Sequence, residues 1–468
     1  MTHFERKATL FNDFFADQCR EVRNNSSLPE FLYATDHRIS EVELLDERIL
    51  KIIKDLNPNK ARGFDEISVK MIQLCGDSII IPLKLIFSNA LDSGVFPSNW
   101  KKGNITPVHK KGSKQLVENY RPISLLPIFG KIFEKLIYEN LYKYFHNNKL
   151  LSDKQSGFRP GDSCVSQLIA ITHDIFKAFD GNPSLETRGV FLDMSKAFDK
   201  VWHDGLLFKL KSYGIHGKFY AILENYLQKR QQRVVLNGQQ SDWREVLAGV
   251  PQGSALGPLL FLVYINDLPE NLRSSTKLFA DDTSLFSTVY NVGTSFQYLS
   301  SDLRIIEKWA HQWKMCFNPD PNKQATEVVF SRKKVPVNHV PLVFNDSEVG
   351  VLSQQKHLGL ILDRSFTFEN HLKEKIAKAN RVIGLIKHFS KTLPRKSLLT
   401  LYTSFARPHL DYADVIYDKP HNETFCSTLE SIQYNAALAI TGAIRGTSKE
   451  RIYQELGLES LRDRRWFH

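Results

Sequence analysis

The chain has 468 residues, enough for two to four subdomains around a sizeable core. Its 42% hydrophobic content is that of a soluble globular protein, and no uninterrupted apolar run approaches the ~18 residues of a membrane span, so a membrane partner is not expected. A formal charge of +11 favours a polyanionic partner, although charge alone does not make that partner a nucleic acid.

The N-terminal Met1-Thr2-His3-Phe4-Glu5-Arg6-Lys7 lacks the apolar core of a signal peptide. Cys19, Cys75, Cys164, Cys316 and Cys426 show no CxxC or Cys/His spacing and read as reduced intracellular thiols, neither a disulfide framework nor a zinc finger. Residues 1–38 read as a peripheral leader in which Leu10, Phe11, Phe14 and Phe15 form one helical face ahead of polar Asn24-Asn25-Ser26-Ser27 and Pro29. Ser40 with Glu43 predicts a capping box, and Val42, Leu45, Ile49, Ile52, Ile53 and Leu56 trace an amphipathic helix that Asn57-Pro58 ends. A basic loop over 59–68 leads to another helix ending near Ser93-Gly94.

The stretch Trp100 to Gly112 has a β-prone core flanked by lysines, Lys110 among them, and Asn119-Tyr120-Arg121-Pro122-Ile123-Ser124 introduces a helix through Phe129, Ile132, Phe133, Leu136 and Leu141. Lysines interleaved with Trp and Tyr can grip phosphates and stack on bases; a solvated basic hairpin fits the same residues. Gln155-Ser156-Gly157-Phe158-Arg159-Pro160-Gly161 is a loop able to bring its backbone close to a ligand, followed by a helix from about Cys164 to Phe179.

Val190 to Leu192 predict a buried strand with Asp193 at its exit, either a ligand-facing acid or a turn cap. Helices over 206–213 and 218–227 precede a hairpin of 233–236 and 243–247 turned by Asn237-Gly238. Gly249-Val250-Pro251-Gln252-Gly253-Ser254 then opens a helix from Leu259 to Leu268, where small residues admit either a phosphate or close helix-to-sheet packing.

Lys277 to Phe286 predict a β-hairpin whose turn carries Asp281 and Asp282. Pressing two like charges together beside an apolar sheet is costly unless a cation neutralises them; an isolated Asp-Asp pair would otherwise be a surface turn. Leu299 to Phe317 reads as helix, and Thr326–Phe330 with Leu358–Leu362 as strands completing the central sheet. From His371 the pattern is helical, with Leu372, Ile376, Ala379, Ile383 and Ile386 as an apolar stripe and Lys373, Lys375, Lys378 and Arg381 off it.

Asp193, Asp281 and Asp282 each fall at a strand end or turn of one β-rich region, so folding can converge three carboxylates. Such hard oxygen ligands suit Mg²⁺ or Mn²⁺, and two of these ions ~4 Å apart support in-line phosphoryl transfer. With glycine turns and basic aromatic flanks, this points to a template-directed polymerase.

The ordered segments Phe191–Asp199, Gly249–Ser254, Tyr264-Ile265-Asn266-Asp267-Leu268 and Phe279-Ala280-Asp281-Asp282 resemble the palm motifs of reverse transcriptases of jockey-like non-LTR retrotransposons. Asn119–Leu125, Gln155–Arg159, Leu410-Asp411-Tyr412-Ala413 and Leu456-Gly457-Leu458 match further motifs of that family, and the resemblance covers roughly residues 40–468. It implies an α+β right hand: a linker remnant over 1–38, fingers with the start of the palm over 39–180, a palm with an antiparallel sheet over 181–365, and an α-helical thumb with the C-terminal region over 366–468.

The same resemblance assigns roles. Asp193, Asp281 and Asp282 match the metal-binding acids, with the Met194 carbonyl as a further ligand. Phe198 matches the steric gate beneath the incoming sugar, and Gln252 and Gly253 the turn against nucleotide and template. Arg121 and Lys110 match cations that hold the triphosphate, and Lys323 the lysine that protonates pyrophosphate, a solvated loop lysine being the other reading. The implied cofactor is Mg²⁺ or Mn²⁺; the implied partners are an RNA template, a DNA primer and dNTPs, in the cytoplasm and at a chromosomal target in the nucleus. An upstream endonuclease or a ribonuclease H domain fits none of these residues, which reads as a fragment or decayed genomic copy. Its alternative function is that of a catalytically inactive nucleic-acid-binding remnant.

Overall fold

The computed structural model describes residues 3–19, 28–31, 35–334 and 337–467, so the polar run Asn24-Asn25-Ser26-Ser27 lies outside the described residues. Helix α1 (His3–Gln18) puts Ala8 and Phe15 into a small core with Ile105 and Val234. Helix α2 (Asp46–Asp55) buries Ile49, Ile52 and Ile53, but Ser40 does not cap it. Ile39 instead bridges to Ile215, and the Ser40 carbonyl accepts the Phe219 N–H. Distant backbone partners outcompete the local capping box, because an extended segment with its own hydrogen bonds has no orphan donors to cap. Helices α3 (Val69–Leu74) and α4 (Ile80–Ser93) make up the next helical stretch, which left-handed Gly94 ends.

Strands β1 (Lys102–His109) and β2 (Tyr120–Leu125) pair antiparallel. The segment expected to lead straight into a helix is therefore a strand, and α5 (Ile128–Asn147) starts only after Pro127. Helix α6 (Cys164–Phe179) is followed by β3 (Glu186–Asp193), α7 (His203–Ser212) and α8 (Gly217–Leu227). Strands β4 (Arg230–Leu236), β5 (Gln239–Gln240) and β6 (Arg244–Val246) form the hairpin region, with Asn237 and Gly238 both left-handed in its two-residue turn. Helix α9 (Gly257–Ile265) is buried almost throughout.

The central hairpin is β7 (Ser275–Phe279) and β8 (Asp282–Val289). Helix α10 (Val292–Gln312) begins at an Asn291 side-chain cap, earlier than the expected Leu299, and stops before Trp313. After α11 (Pro321–Gln324) come β9 (Ala325–Phe330), β10 (Val343–Phe344), β11 (Ser347–Glu348), β12 (Gly350–Val351), β13 (Gln354–His357) and β14 (Leu360–Asp363).

Two sheets organise these elements. The first has the order β2-β1-β4-β5, with β6 also on β4; the central one has the order β12-β9-β3-β8-β7. Strand β3 lies in the middle, and every residue of it is buried except Asp193. Val190, Leu192 and Leu285 join one large core, while Phe191, Phe286, Val328 and Phe330 pack with Leu168 and Ile171 of α6. The run Leu358–Leu362 does not complete this sheet: β14 pairs with β13 in a separate hairpin, and β12 takes the β9 edge. Apolarity marked the run as buried, but the pairing partner is chosen by tertiary context.

Helix α12 (Glu369–Phe389) packs with α13 (Glu423–Thr441) in a second core. Lys375 sits on the inner face of α12, with its ammonium 4.9 Å from the Tyr412 ring centroid, so it does not join the solvent-facing lysines. No described helix is long and apolar enough to cross a membrane.

Candidate active site

Asp193 and Asp282 lie directly opposite one another at the end of the β3–β8 ladder. Asp282 also pairs with Phe279 across the hairpin, so the turn consists of Ala280, held left-handed at φ 54°, and Asp281. The second acid is therefore a strand residue, whereas the sequence placed both in the turn. Burial raises the Asp281 carboxyl. Burial, then Asp281 and Asp193, push Asp282 up to about 6, although its side chain opens onto solvent. Lys110 and Arg121 lower both acids from the end of the β1–β2 hairpin, where Lys110 donates its N–H to the Asn119 carbonyl. Burial and Arg121 in turn lower the Lys110 ammonium.

Among the described residues, no three His, Cys, Asp or Glu side chains already converge as an ion cage. Asp193 is turned toward Asn318, whose Nδ2 donates to its Oδ2 at 2.7 Å. Met194 is buried and bridges to Phe317.

The Gln252-Gly253 turn docks on β2: the Ser124 N–H donates to the Gln252 carbonyl at 2.8 Å. Gly253 has φ 115°, and a Cβ there would sit 2.7 Å from the Ser124 oxygen, so only glycine fits. The Gln252 Nε2 donates to both Asp199 oxygens, at 2.9 and 3.0 Å. The Phe198 carbonyl accepts the Val250 N–H at 2.8 Å, which binds this turn to Phe198. The Phe198 ring stacks on Phe261 at 4.4 Å.

Three supports were not assigned roles from sequence: Gln155, Asp199 and Asn318. The Gln155 Oε1 accepts from both the Gly157 N–H at 2.8 Å and the Ala280 N–H at 2.9 Å, tying the loop before α6 to the carboxylate turn. The Lys323 ammonium is exposed and bonded to Asp320. The Tyr264–Leu268 motif proves to be packing, since the Lys209 Nζ, 3.6 Å from the Trp313 ring centroid, donates to the Tyr264 carbonyl and pairs with Asp267.

Residues 108–354, more than half of the chain, match the family model described as reverse transcriptase (RNA-dependent DNA polymerase). The chain is 31% identical, over 98% of its length, to the probable RNA-directed DNA polymerase from transposon BS of Drosophila melanogaster, covering 51% of that protein. It is 30% identical, over 89% of its length, to the RNA-directed DNA polymerase from mobile element jockey of the same fly, covering 45% of it. The chain thus spans about half the length of the curated relatives it matches. With the paired acids, the flanking cations and these matches together, the chain belongs to the reverse transcriptase (RNA-dependent DNA polymerase) family.

Proposed function

We propose that this chain is the RNA-directed DNA polymerase of a non-LTR retrotransposon, extending a DNA primer on an RNA template with dNTPs. The observation that carries the reading is the register of Asp193 opposite Asp282, with Asp281 beside them and the Asp281 and Asp282 carboxyls pushed upward. In this reading residues 39–180 act as fingers with the start of the palm, 181–365 as the palm and 366–468 as a helical thumb.

The donor set of Asp193, Asp281, Asp282 and the Met194 carbonyl is all oxygen and fits Mg²⁺ or Mn²⁺, to which Asp193 would turn by releasing Asn318. When bound, such ions activate the attacking oxygen and stabilise the leaving one. In the reaction the primer 3′-oxygen bonds to the α-phosphorus of the dNTP, and the bond to the pyrophosphate oxygen breaks. Lys110 and Arg121 hold the triphosphate, and Gln252 and Gly253 support the nucleotide. Phe198 lies under the sugar and excludes a 2′-hydroxyl. Lys323 is assigned to the departing pyrophosphate, which requires it to leave Asp320.

Primer extension on an RNA template, with Mg²⁺ and Mn²⁺ compared, tests the proposal. Wild-type chain should extend, and Asp281→Asn should lose most of its turnover while still binding RNA. Comparable activity in the variant refutes the metal assignment. Salt-sensitive template binding with no extension by the wild type in either metal indicates the inactive remnant.

A further inference from the structure

The loop between α5 and α6 presents a bulky side chain to the site that the proposed reaction does not use. Phe158 is 49% exposed, and its backbone is left-handed at φ 56°, a conformation unfavourable for any residue with a Cβ. The strain persists because the loop is pinned on both sides. Before Phe158, Gly157 lies so close to the carboxylate turn that a Cβ would sit 2.3 Å from the Ala280 nitrogen, and the Ser156 N–H donates to the Leu278 carbonyl at 2.9 Å. After it, the Arg159 Nη1 donates to the Ser152 carbonyl at 2.7 Å.

The pinned loop aims the ring at Phe198. The two rings meet edge to face, with centroids 5.8 Å apart and planes at 79°. Phe261, fully buried, stacks on Phe198 with planes at 20°. Phe198 thus contacts both a buried neighbour belonging to the core and an exposed one belonging to no core cluster. A barrier to a 2′-hydroxyl works only if the ring cannot swing aside when pressed, and a second ring contact restricts that swing.

We propose that Phe158 is a specificity-determining residue, wedging Phe198 so that the gate does not yield to a ribonucleotide. The proposal rests on the reading of Phe198 as the sugar gate. It also gives the strained loop a function: the contacts that place the carboxylate turn also set the stiffness of sugar selection.

The test is steady-state incorporation of a dNTP and its matching rNTP on an RNA template by wild type, Phe158→Ala, Phe158→Gly and Phe198→Ala. Losing one edge-to-face contact should lower the dNTP/rNTP ratio of kcat/KM by about 2- to 10-fold in Phe158→Ala, through the rNTP, with kcat for the dNTP within about twofold. Phe158→Gly, which also relieves the backbone strain, should show the same lowered ratio together with a Tm above that of Phe158→Ala. An unchanged ratio in both Phe158 variants, where Phe198→Ala relaxes it, overturns the wedge and leaves the gate standing. An unchanged ratio in Phe198→Ala overturns the gate and the wedge with it.

Discussion

Replacing Asp199 by Asn should change how stability depends on pH, by an amount the structure sets. Asp199 is 7% exposed, and burial pushes its carboxyl up to about 6 against the opposing pull of Gln252 and Lys196. Its other polar neighbour, Cys19, has its own thiol pushed up, chiefly by burial and then by Asp199, and stays protonated across this range. In the unfolded chain an Asp ionises near ~3.9. Between that value and about 6 the folded state holds the proton that the unfolded state has lost, so folding stability falls as pH rises. Over the whole window the loss is ~3 kcal/mol, and it persists at neutral pH. Asn keeps the shape but cannot ionise. Any change in its hydrogen bonding to Gln252 adds an offset that does not vary with pH. The stability of Asp199→Asn minus that of wild type, from urea unfolding, should therefore climb by ~2 kcal/mol between pH 4 and pH 7, the rest of the change lying below pH 4 where the unfolded Asp begins to ionise. A difference that stays flat within ~0.5 kcal/mol would falsify the assignment of a buried, ionisable Asp199 behind the Gln252 turn.

Gly157→Ala should displace the carboxylate turn, because its Cβ would lie 2.3 Å from the Ala280 nitrogen. A misplacement of ~1 Å costs about 100-fold in rate, so kcat for primer extension should fall by that order with template affinity unchanged, and near-normal kcat would refute the clamp. Glu327→Gln leaves Arg188 buried without its counter-charge in the middle of the central sheet, where the Arg188 Nη2 now donates to the Glu327 Oε2 at 3.0 Å. Urea unfolding should show a loss of ~3–5 kcal/mol, most of it recovered in Arg188→Met/Glu327→Leu; a loss below ~1 kcal/mol would show that the pair is not desolvated.

Elements whose pattern is local were legible in the sequence. The apolar run into Asp193 marked β3, the Asn237-Gly238 pair marked its hairpin, and the spacing from Cys164 to Phe179 marked α6 at both ends. What failed had a competitor elsewhere in the chain. Ser40 looked like a cap until Ile215 and Phe219 supplied backbone partners, and Leu358–Leu362 looked like a central strand until β13 paired with it. The site divides the same way. The acids announce themselves as charges among apolar residues, but their supports act at a distance: Gln155 reaches Ala280 across 125 residues, Asn318 reaches Asp193 across 125, and Gln252 reaches Asp199 across 53. A neutral amide has no signature until its partner is known.

The meeting of Asp193 and Asp282 is a matter of counting. The β3–β8 ladder runs without a bulge from Glu186 opposite Val289 to these two acids, so each position is fixed by its distance from the far end. Side chains alternate between faces, and a slip of one residue sends every one of them to the other side. Substitutions within either strand can accumulate as long as they suit the packing around them. Inserting or deleting a single codon would part the two carboxylates, even with every chemically important residue still present. The length of these two strands therefore decides whether the acids meet, as much as the acids themselves do.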